Sequence, residues 1–300
     1  MIVTRFAPSP TGLLHLGHAF AALTAYEAAR DAGGQFHLRI EDIDAGRCKP
    51  EFEQAIFEDL TWLGLDWQVP VLRQSARGSA YRAALKTLDG MGLIYPCFCT
   101  RKDIAEEIAH ALEAPHGPEG PLYPGLCRNL PPEERQARMA REPHALRLDV
   151  AKAIARAGRL TFAEGGHGPA GECGTIIANP ALFGDIVLAR KAMPGAYHLA
   201  VVVDDAHQGV TLVTRGNDLF NATHVQRLLQ ALLGLPTPAY AHHQLIMDKQ
   251  GKKFSKRDKA VTLRALRDAG ITLAEIRGRL PATDGGPVSS GDSFTSQAGW

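Results

Sequence analysis

Pro8-Ser9-Pro10-Thr11-Gly12-Leu13-Leu14-His15-Leu16-Gly17-His18 stands between a short run, Arg5-Phe6-Ala7, and an alanine-rich stretch that stops at Gly33-Gly34. Two prolines and a glycine make a turn after a short strand. The alanine-rich stretch reads as a helix halted by glycine, so the quoted residues open a helix directly after a strand. At that place unpaired backbone N–H groups and the helix dipole favour an anion. His15 and His18 are three residues apart and share one helix face, from which imidazoles can donate to polyphosphate oxygens. Gly17 between them leaves the backbone bare enough for a flat base or ribose to approach. Taken alone, the same residues are also a helix cap carrying two incidental histidines, and both readings stand at this point.

Outward from this turn the chain alternates strand and helix patterns, which predicts an α/β fold with a parallel sheet. Residues 36–40 read as a strand, Pro50 as the first residue of a helix ending near Gly64, and Ser75 as the cap of another ending near Gly90. Segments 185–189, 199–203, 210–213 and 244–247 also read as strands, and 218–233 as a helix. Between these halves the character changes. The cysteines concentrate here, with one Pro/Gly cluster at 115–125 and a glycine-rich stretch at 165–174. The expected organisation is therefore a first half of the α/β domain at 1–96, an inserted lobe at 97–184 and a second half at 185–248. A basic loop and short helical region at 249–280 and a polar, mobile tail at 281–300 would follow.

Composition narrows the class. Hydrophobic residues make up 45% and charged residues 22% of the 300, as in a soluble globular enzyme. No apolar run nears the ~18 residues of a membrane span, and residues 1–6 lack a leader layout. Five scattered cysteines suit a reducing compartment better than a disulfide scaffold, so the expectation is a cytoplasmic monomer with no membrane partner. The net charge of +1 hides two opposed segments: 41–66 is rich in Asp and Glu, and 251–280 in Lys and Arg. Lys252, Lys259, Arg264 and Arg267 could therefore contact a polyanion.

A second motif lies in that basic end: Lys253-Phe254-Ser255-Lys256-Arg257. A loop with these cations can close over a phosphate chain and stabilise charge as pyrophosphate leaves. In this order, His15-Leu16-Gly17-His18 and the 253–257 motif resemble the paired "HIGH" and "KMSKS" signatures of class I aminoacyl-tRNA synthetases. Arg5 to Gly12, Leu38 to Asp44, the segment YHLAVVVDD at 197–205 and Arg215-Gly216 are similar to the glutamyl branch, over roughly 3–127 and 185–257. The residue chemistry suits glutamate independently. Arg5 and Arg215 offer guanidinium forks for two carboxylates, Glu41 an anion for the ammonium group, and Tyr197 and Ser9 hydroxyls. Which arginine takes the side-chain carboxylate is left open by the residues themselves.

The resemblance implies a Rossmann-like catalytic domain. It also implies ATP binding at His15, Gly17, His18, Lys253, Ser255 and Lys256, and glutamate binding at Arg5, Phe6, Ala7, Pro8, Ser9, Glu41, Tyr197 and Arg215. His15, His18 and Lys256 would carry the catalytic charge stabilisation, with Mg²⁺ on the phosphates. Cys97-Phe98-Cys99 and Tyr123-Pro124-Gly125-Leu126-Cys127 form another constellation. In an extended segment Cys97 and Cys99 face one side, and Cys127 with Tyr123 can complete a tetrahedral shell. Three reduced cysteines packed in a small lobe is the alternative, and His110 or His116 could replace Tyr123. Some glutamyl-type enzymes hold zinc through three cysteines and a tyrosine, which implies a structural zinc ion. Cys48 and Cys173 read as bystanders.

Few residues follow the basic motif, which resembles a shortened branch lacking the anticodon-binding region. That branch activates glutamate without tRNA and transfers it to the queuosine base in the anticodon loop of tRNA(Asp). Three other readings fit the same residues: a catalytic fragment charging tRNA(Glu), a non-catalytic RNA-binding relative, and a ligase delivering the adenylate to another acceptor.

Overall fold

The computed structural model describes residues 1–110, 116–118, 120–190, 193–246 and 261–281. The chain opens with β1 (Val3–Phe6), α1 (Leu16–Asp31), β2 (Gln35–Ile40), α2 (Pro50–Trp62), β3 (Gln68–Arg73) and α3 (Gly78–Gly90). There follow β4 (Ile94–Cys97), α4 (Arg101–His110), the short pair β5 (His116–Gly117) and β6 (Gly120–Pro121), α5 (Pro132–Met139) and β7 (Ala145–Leu148). Next come α6 (Val150–Ala157), β8 (Thr161–Glu164), β9 (Gly174–Ile177) and β10 (Val187–Ala189). The last elements are α7 (Tyr197–His207), β11 (Leu212–Gly216), α8 (Ala222–Leu232), β12 (Ala239–His243), α9 (Leu263–Asp268) and α10 (Leu273–Arg279).

Parallel pairing joins β1 to β2 and β2 to β3, and separately β11 to β12 and β12 to β8. The two sets meet where the Thr211 amide donates to Val3 O at 2.9 Å and Arg5 Nη1 to Thr214 O at 3.2 Å. Strand β1 therefore runs beside β11 in the same direction, and the connections lead away from that junction on both sides. β9 adds antiparallel to β8, while β4, β7 and β10 form a separate antiparallel sheet. These pairings cross the expected divisions at 96/97 and 184/185, since β8 and β9 extend the β11–β12 sheet and β4 and β10 flank β7.

Several sequence expectations need correcting. Residues 199–203 belong to helix α7 and not to a strand. Their continuous apolar run is explained by packing against α3, α8 and β10, which requires apolar groups on several sides of the helix. Strand β12 ends at His243, before the expected 244–247: residues 244–246 are outside any strand, and 247 lies outside the described residues. Strand β10 starts at Val187, two residues late, and α8 starts at Ala222 after a short 3₁₀ turn, Asn217–Leu219. Ser75 does not cap α3. It lies in a 3₁₀ turn, and its amide and hydroxyl both donate to the Asp42 carboxylate, at 2.8 and 2.6 Å.

The opposed charge segments meet each other. Arg267 pairs with Glu58 and Asp59 at 3.1 Å, Arg264 with Glu58 at 3.8 Å, and Arg277 with Glu27 at 2.8 Å. Beneath them Leu263 and Ile276 join the core formed by α1, α2, β1 and β2. Arg264 and Arg267 thus also help to hold α9 onto α2; Lys252 and Lys259 lie outside the described residues, as does the tail at 282–300.

The two halves are fastened by the end of α7. Asp205 accepts from Arg39 Nη1 at 2.6 Å and Arg5 Nε at 3.1 Å. Asp204 accepts from Tyr81 Oη at 2.6 Å and from Gln74 Nε2 and Arg77 Nε, each at 3.1 Å. Burial alone would push Asp205 up, but Arg5 and Arg39 outweigh it and hold the carboxyl below its usual range. Removing one partner of such a buried pair strands the others in a low-dielectric site. Asp205→Ala is expected to lower the unfolding free energy by ~3–5 kcal/mol, read by urea denaturation; a loss below ~1 kcal/mol would refute the assignment.

Candidate active site and metal cluster

Ligands of open α/β sheets bind beyond the carboxyl ends of the strands, where the connections diverge. Here that place is the crevice at the ends of β1 and β11, and α1 begins over it. His15 is the N-cap of α1: its Nδ1 accepts from the Gly17 amide at 3.1 Å, and His18 Nδ1 accepts from the His15 amide at 3.2 Å. This reciprocal box has imidazoles where hydroxyl and carboxylate groups are usual. With both Nδ1 atoms accepting, each neutral ring carries its proton on Nε2, as a donor. The rings lie against each other, tilted by 40°, with centroids 3.8 Å apart. A Cβ at Gly17 would come within 3.1 Å of the His15 ring, a tight contact that glycine avoids.

The turn after β1 is tied to the end of β2. Glu41 N donates to Pro8 O at 3.0 Å, and Thr11 N to Ser9 O at 2.8 Å, which brings 6–9 alongside Glu41. Arg5 is 5% exposed and Arg215 6% exposed. Burial pushes the Tyr197 hydroxyl up, with Arg215 and Arg5 opposing and Glu41 adding to it. Burial likewise raises Glu41, against the pull of Arg39 and Arg5. Arg5, Glu41, Tyr197 and Arg215 are therefore gathered within electrostatic reach of one another, although three come from distant parts of the chain. Arg5 and Glu41 each have another ion-pair partner: Asp205 for Arg5, and Arg39 at 3.3 Å for Glu41.

Arg215 differs. Its Nε donates to His242 Nε2 at 3.1 Å, Nη1 to Gln226 Oε1 at 2.9 Å and Nη2 to Thr223 Oγ1 at 2.8 Å. Among the described residues no carboxylate bonds it. Thr223, Gln226, His242 and Glu164, which bonds His242, were missed in the sequence. The one available signal was the alternation in β12 that turns Tyr240 and His242 inward.

Lys253, Ser255 and Lys256 lie outside the described residues. The chain on either side of 247–260 is described. Before it, His243 packs edge-on against Phe20 of α1 at 4.8 Å; after it, Thr262 bridges to His15 and Leu263 N donates to Leu14 O at 2.8 Å. Both flanks of the basic motif thus rest on the histidine-capped helix.

The second constellation also comes together. Ligand atoms of Cys97, Cys99 and Cys127 all lie within 4.8 Å of one another. Tyr123 Oη is 3.4 Å from both Cys97 Sγ and Cys99 Sγ, and Cys99 Sγ is 3.4 Å from Cys127 Sγ. Tyr123, the expected fourth group, is therefore in the cluster; the side chains of His110 and His116 are not described. A tetrahedral ion with metal–sulfur bonds of about 2.3 Å needs sulfurs about 3.8 Å apart, close to this spacing. Burial opposes the Cys97 thiolate, but hydrogen bonding with Tyr123 and Arg147 holds it below its usual range, while burial pushes Cys99 up to about 12. Packed thiols of this kind ionise together only beside a cation. The cluster can hold a metal ion.

Residues 1–276 match the family described as tRNA synthetases class I (E and Q), catalytic domain, and the chain belongs to that family of ligases. Within it, the chain groups with the glutamyl-Q tRNA(Asp) synthetases. It is 49% identical to that of Rhodobacter capsulatus over 92% of this chain and 98% of the relative. It is 43% identical to that of Nitratidesulfovibrio vulgaris over 93% and 85%. Among solved structures it resembles a glutamate-tRNA synthetase from Elizabethkingia anophelis, with a TM-score of 0.71 and 29% identity over 86% of this chain and 53% of that one. The chain spans about half the length of that structure.

Elemental analysis of the purified chain is expected to find about one tetrahedrally bound metal ion, with Cys97→Ser and Cys127→Ser falling to background. Full metal content in both variants would remove the cluster from consideration.

Proposed function

We propose that the chain activates L-glutamate with ATP, without tRNA, and transfers it to the queuosine base in the anticodon loop of tRNA(Asp). The observation that carries the first half is the buried arginine pair at the mouth of the crevice, beside a helix that opens on two histidines. Glutamate brings two carboxylates and one ammonium group. Arg215, surrounded by neutral acceptors, suits one carboxylate. Arg5 suits the other, Glu41 and Tyr197 the ammonium group, and the turn at 6–9 the closing wall. The second half rests on the names of relatives that align over nearly their whole length.

The α-carboxylate attacks the α-phosphorus of ATP in line, forming the mixed anhydride as pyrophosphate departs. A carboxylate is ionised at neutral pH, so the step needs no general base. Catalysis is then positioning and charge stabilisation. His15 and His18 donate to the phosphates from Nε2, and Gly17 leaves room for the nucleoside. Lys253, Ser255 and Lys256 meet the departing pyrophosphate, with Mg²⁺ entering as part of the ATP substrate complex. Cys97, Cys99, Cys127 and Tyr123 would hold zinc, whose contribution is to cross-link the small lobe. A hydroxyl of the queuosine ring then attacks the anhydride carbonyl, its C–O bond to the phosphate breaks, and the hydroxyl proton passes to the phosphate of the departing AMP.

Glutamate-dependent pyrophosphate exchange is expected without tRNA, and Lys256→Ala should slow it by about two to three orders of magnitude. Incubation with ATP, labelled glutamate and tRNA with or without queuosine tests the acceptor. Label retained only on queuosine-containing tRNA(Asp) supports the proposal. Label on the terminal ribose of tRNA(Glu) would replace it with conventional charging, and absence of exchange would leave an RNA-binding role.

A further inference from the structure

We propose that His242 and Glu164 are positioning residues that orient Arg215 toward a substrate carboxylate. This rests on the reading of the crevice as a glutamate site and extends it to two residues that no motif marks.

The three side chains lie across three adjacent parallel strands. Arg215 on β11 is in register with His242 on β12, and β12 pairs in turn with β8 at Glu164. The imidazole and the carboxylate both have no exposed side-chain surface. Glu164 Oε1 accepts from the His242 and Gly166 amides, each at 2.9 Å, which leaves Oε2 facing His242 Nδ1 at 2.5 Å. On its other side the ring meets Arg215 Nε at 3.1 Å. A guanidinium only donates, so Nε2 must accept and the proton must sit on Nδ1. Burial lowers His242, and hydrogen bonds from the ring and its amide hold Glu164 down despite burial, which agrees with a neutral ring against an ionised carboxylate. Gly166 lets β8 approach so closely: a Cβ there would collide with His242 O.

Placing the ring between the charges has a specific effect. A carboxylate bonded directly to Arg215 would occupy the fork that a substrate carboxylate needs. Here the counter-charge is one imidazole away. Arg215 is compensated and its plane is fixed at Nε, while Gln226 and Thr223 each take one N–H of the terminal nitrogens. Of the five guanidinium N–H groups, three have these partners, which leaves one on each terminal nitrogen. Donors on both terminal nitrogens suit the two oxygens of a carboxylate.

The test is steady-state pyrophosphate exchange by the whole chain in wild type, Glu164→Gln, His242→Leu and His242→Gln, with imidazole ¹⁵N shifts recorded on histidine-labelled protein. Glu164→Gln keeps the shape, but the two amides hold its carbonyl oxygen and turn its NH₂ toward Nδ1. That reverses the tautomer and sets an N–H against an N–H at Arg215. The KM for glutamate should rise about ten- to a hundredfold in Glu164→Gln and His242→Leu, the scale of a lost hydrogen bond to a buried charge. The KM for ATP should stay within about twofold, and His242→Gln, which restores an acceptor, should recover most of the loss. Wild type should show the Nδ1–H tautomer and Glu164→Gln the other, a readout that serves even if His242→Leu does not fold. An Nε2–H tautomer in wild type, an unchanged KM for glutamate in Glu164→Gln, or parallel increases for glutamate and ATP would each overturn the proposal. Failure of the underlying glutamate reading looks different: wild type itself then shows no glutamate-dependent exchange, and the proposal falls with it.

Discussion

Burying a carboxylate costs more than its ion pair returns unless several donors converge on it, and the end of α7 solves this twice in consecutive residues. Neighbours on a helix point about 100° apart, so Asp204 and Asp205 address different parts of the molecule. Asp204 gathers Gln74, Arg77 and Tyr81 around α3, and Asp205 gathers Arg5 of β1 and Arg39 of β2. A long stretch of sequence separates these partners from α7, and no hairpin or short crossover would otherwise register them. The position of β1 beside β11, and hence the crevice between them, depends on this double attachment.

The same attachment divides labour between the two buried arginines. Arg5 already has an anionic neighbour and links scaffold to site, so its charge is largely compensated before any ligand arrives. Arg215 is compensated at a distance, through His242, and its immediate partners are neutral. A crevice containing both kinds of arginine has one guanidinium built chiefly for structure and one built chiefly for recognition.

Much of this was legible in the residues, and what was not has a common cause. The turn from Pro8 to Gly12, the helix opened by His15 and the Cys97/Cys99/Cys127/Tyr123 cluster were readable because local chemistry decides them: prolines and glycines set turns, and clustered thiols announce a shared ligand. The apolar run at 199–203 misled because periodicity cannot separate a fully buried helix from a buried strand. The choice was made by α3 and α8 packing on either side. Glu164 and His242 carried no local signal, since each is an ordinary residue until parallel pairing sets β8, β12 and β11 in line. The acidic 41–66 and basic 251–280 segments were visible as opposites, yet only the docking of α9 on α2 revealed that part of each is the other's counter-ion.

The cap of α1 also limits the chemistry available at the crevice. His15 and His18 each use Nδ1 to hold a backbone amide that starts the helix. A ring in that state has no lone pair left with which to take up a proton, bind a metal or attack an electrophile. Basic catalysis by either histidine would require the first turn of α1 to open. The crevice is thereby matched to an activation step whose nucleophile, a carboxylate, arrives already deprotonated, and a hydroxyl acceptor must pass its proton to something other than these two rings.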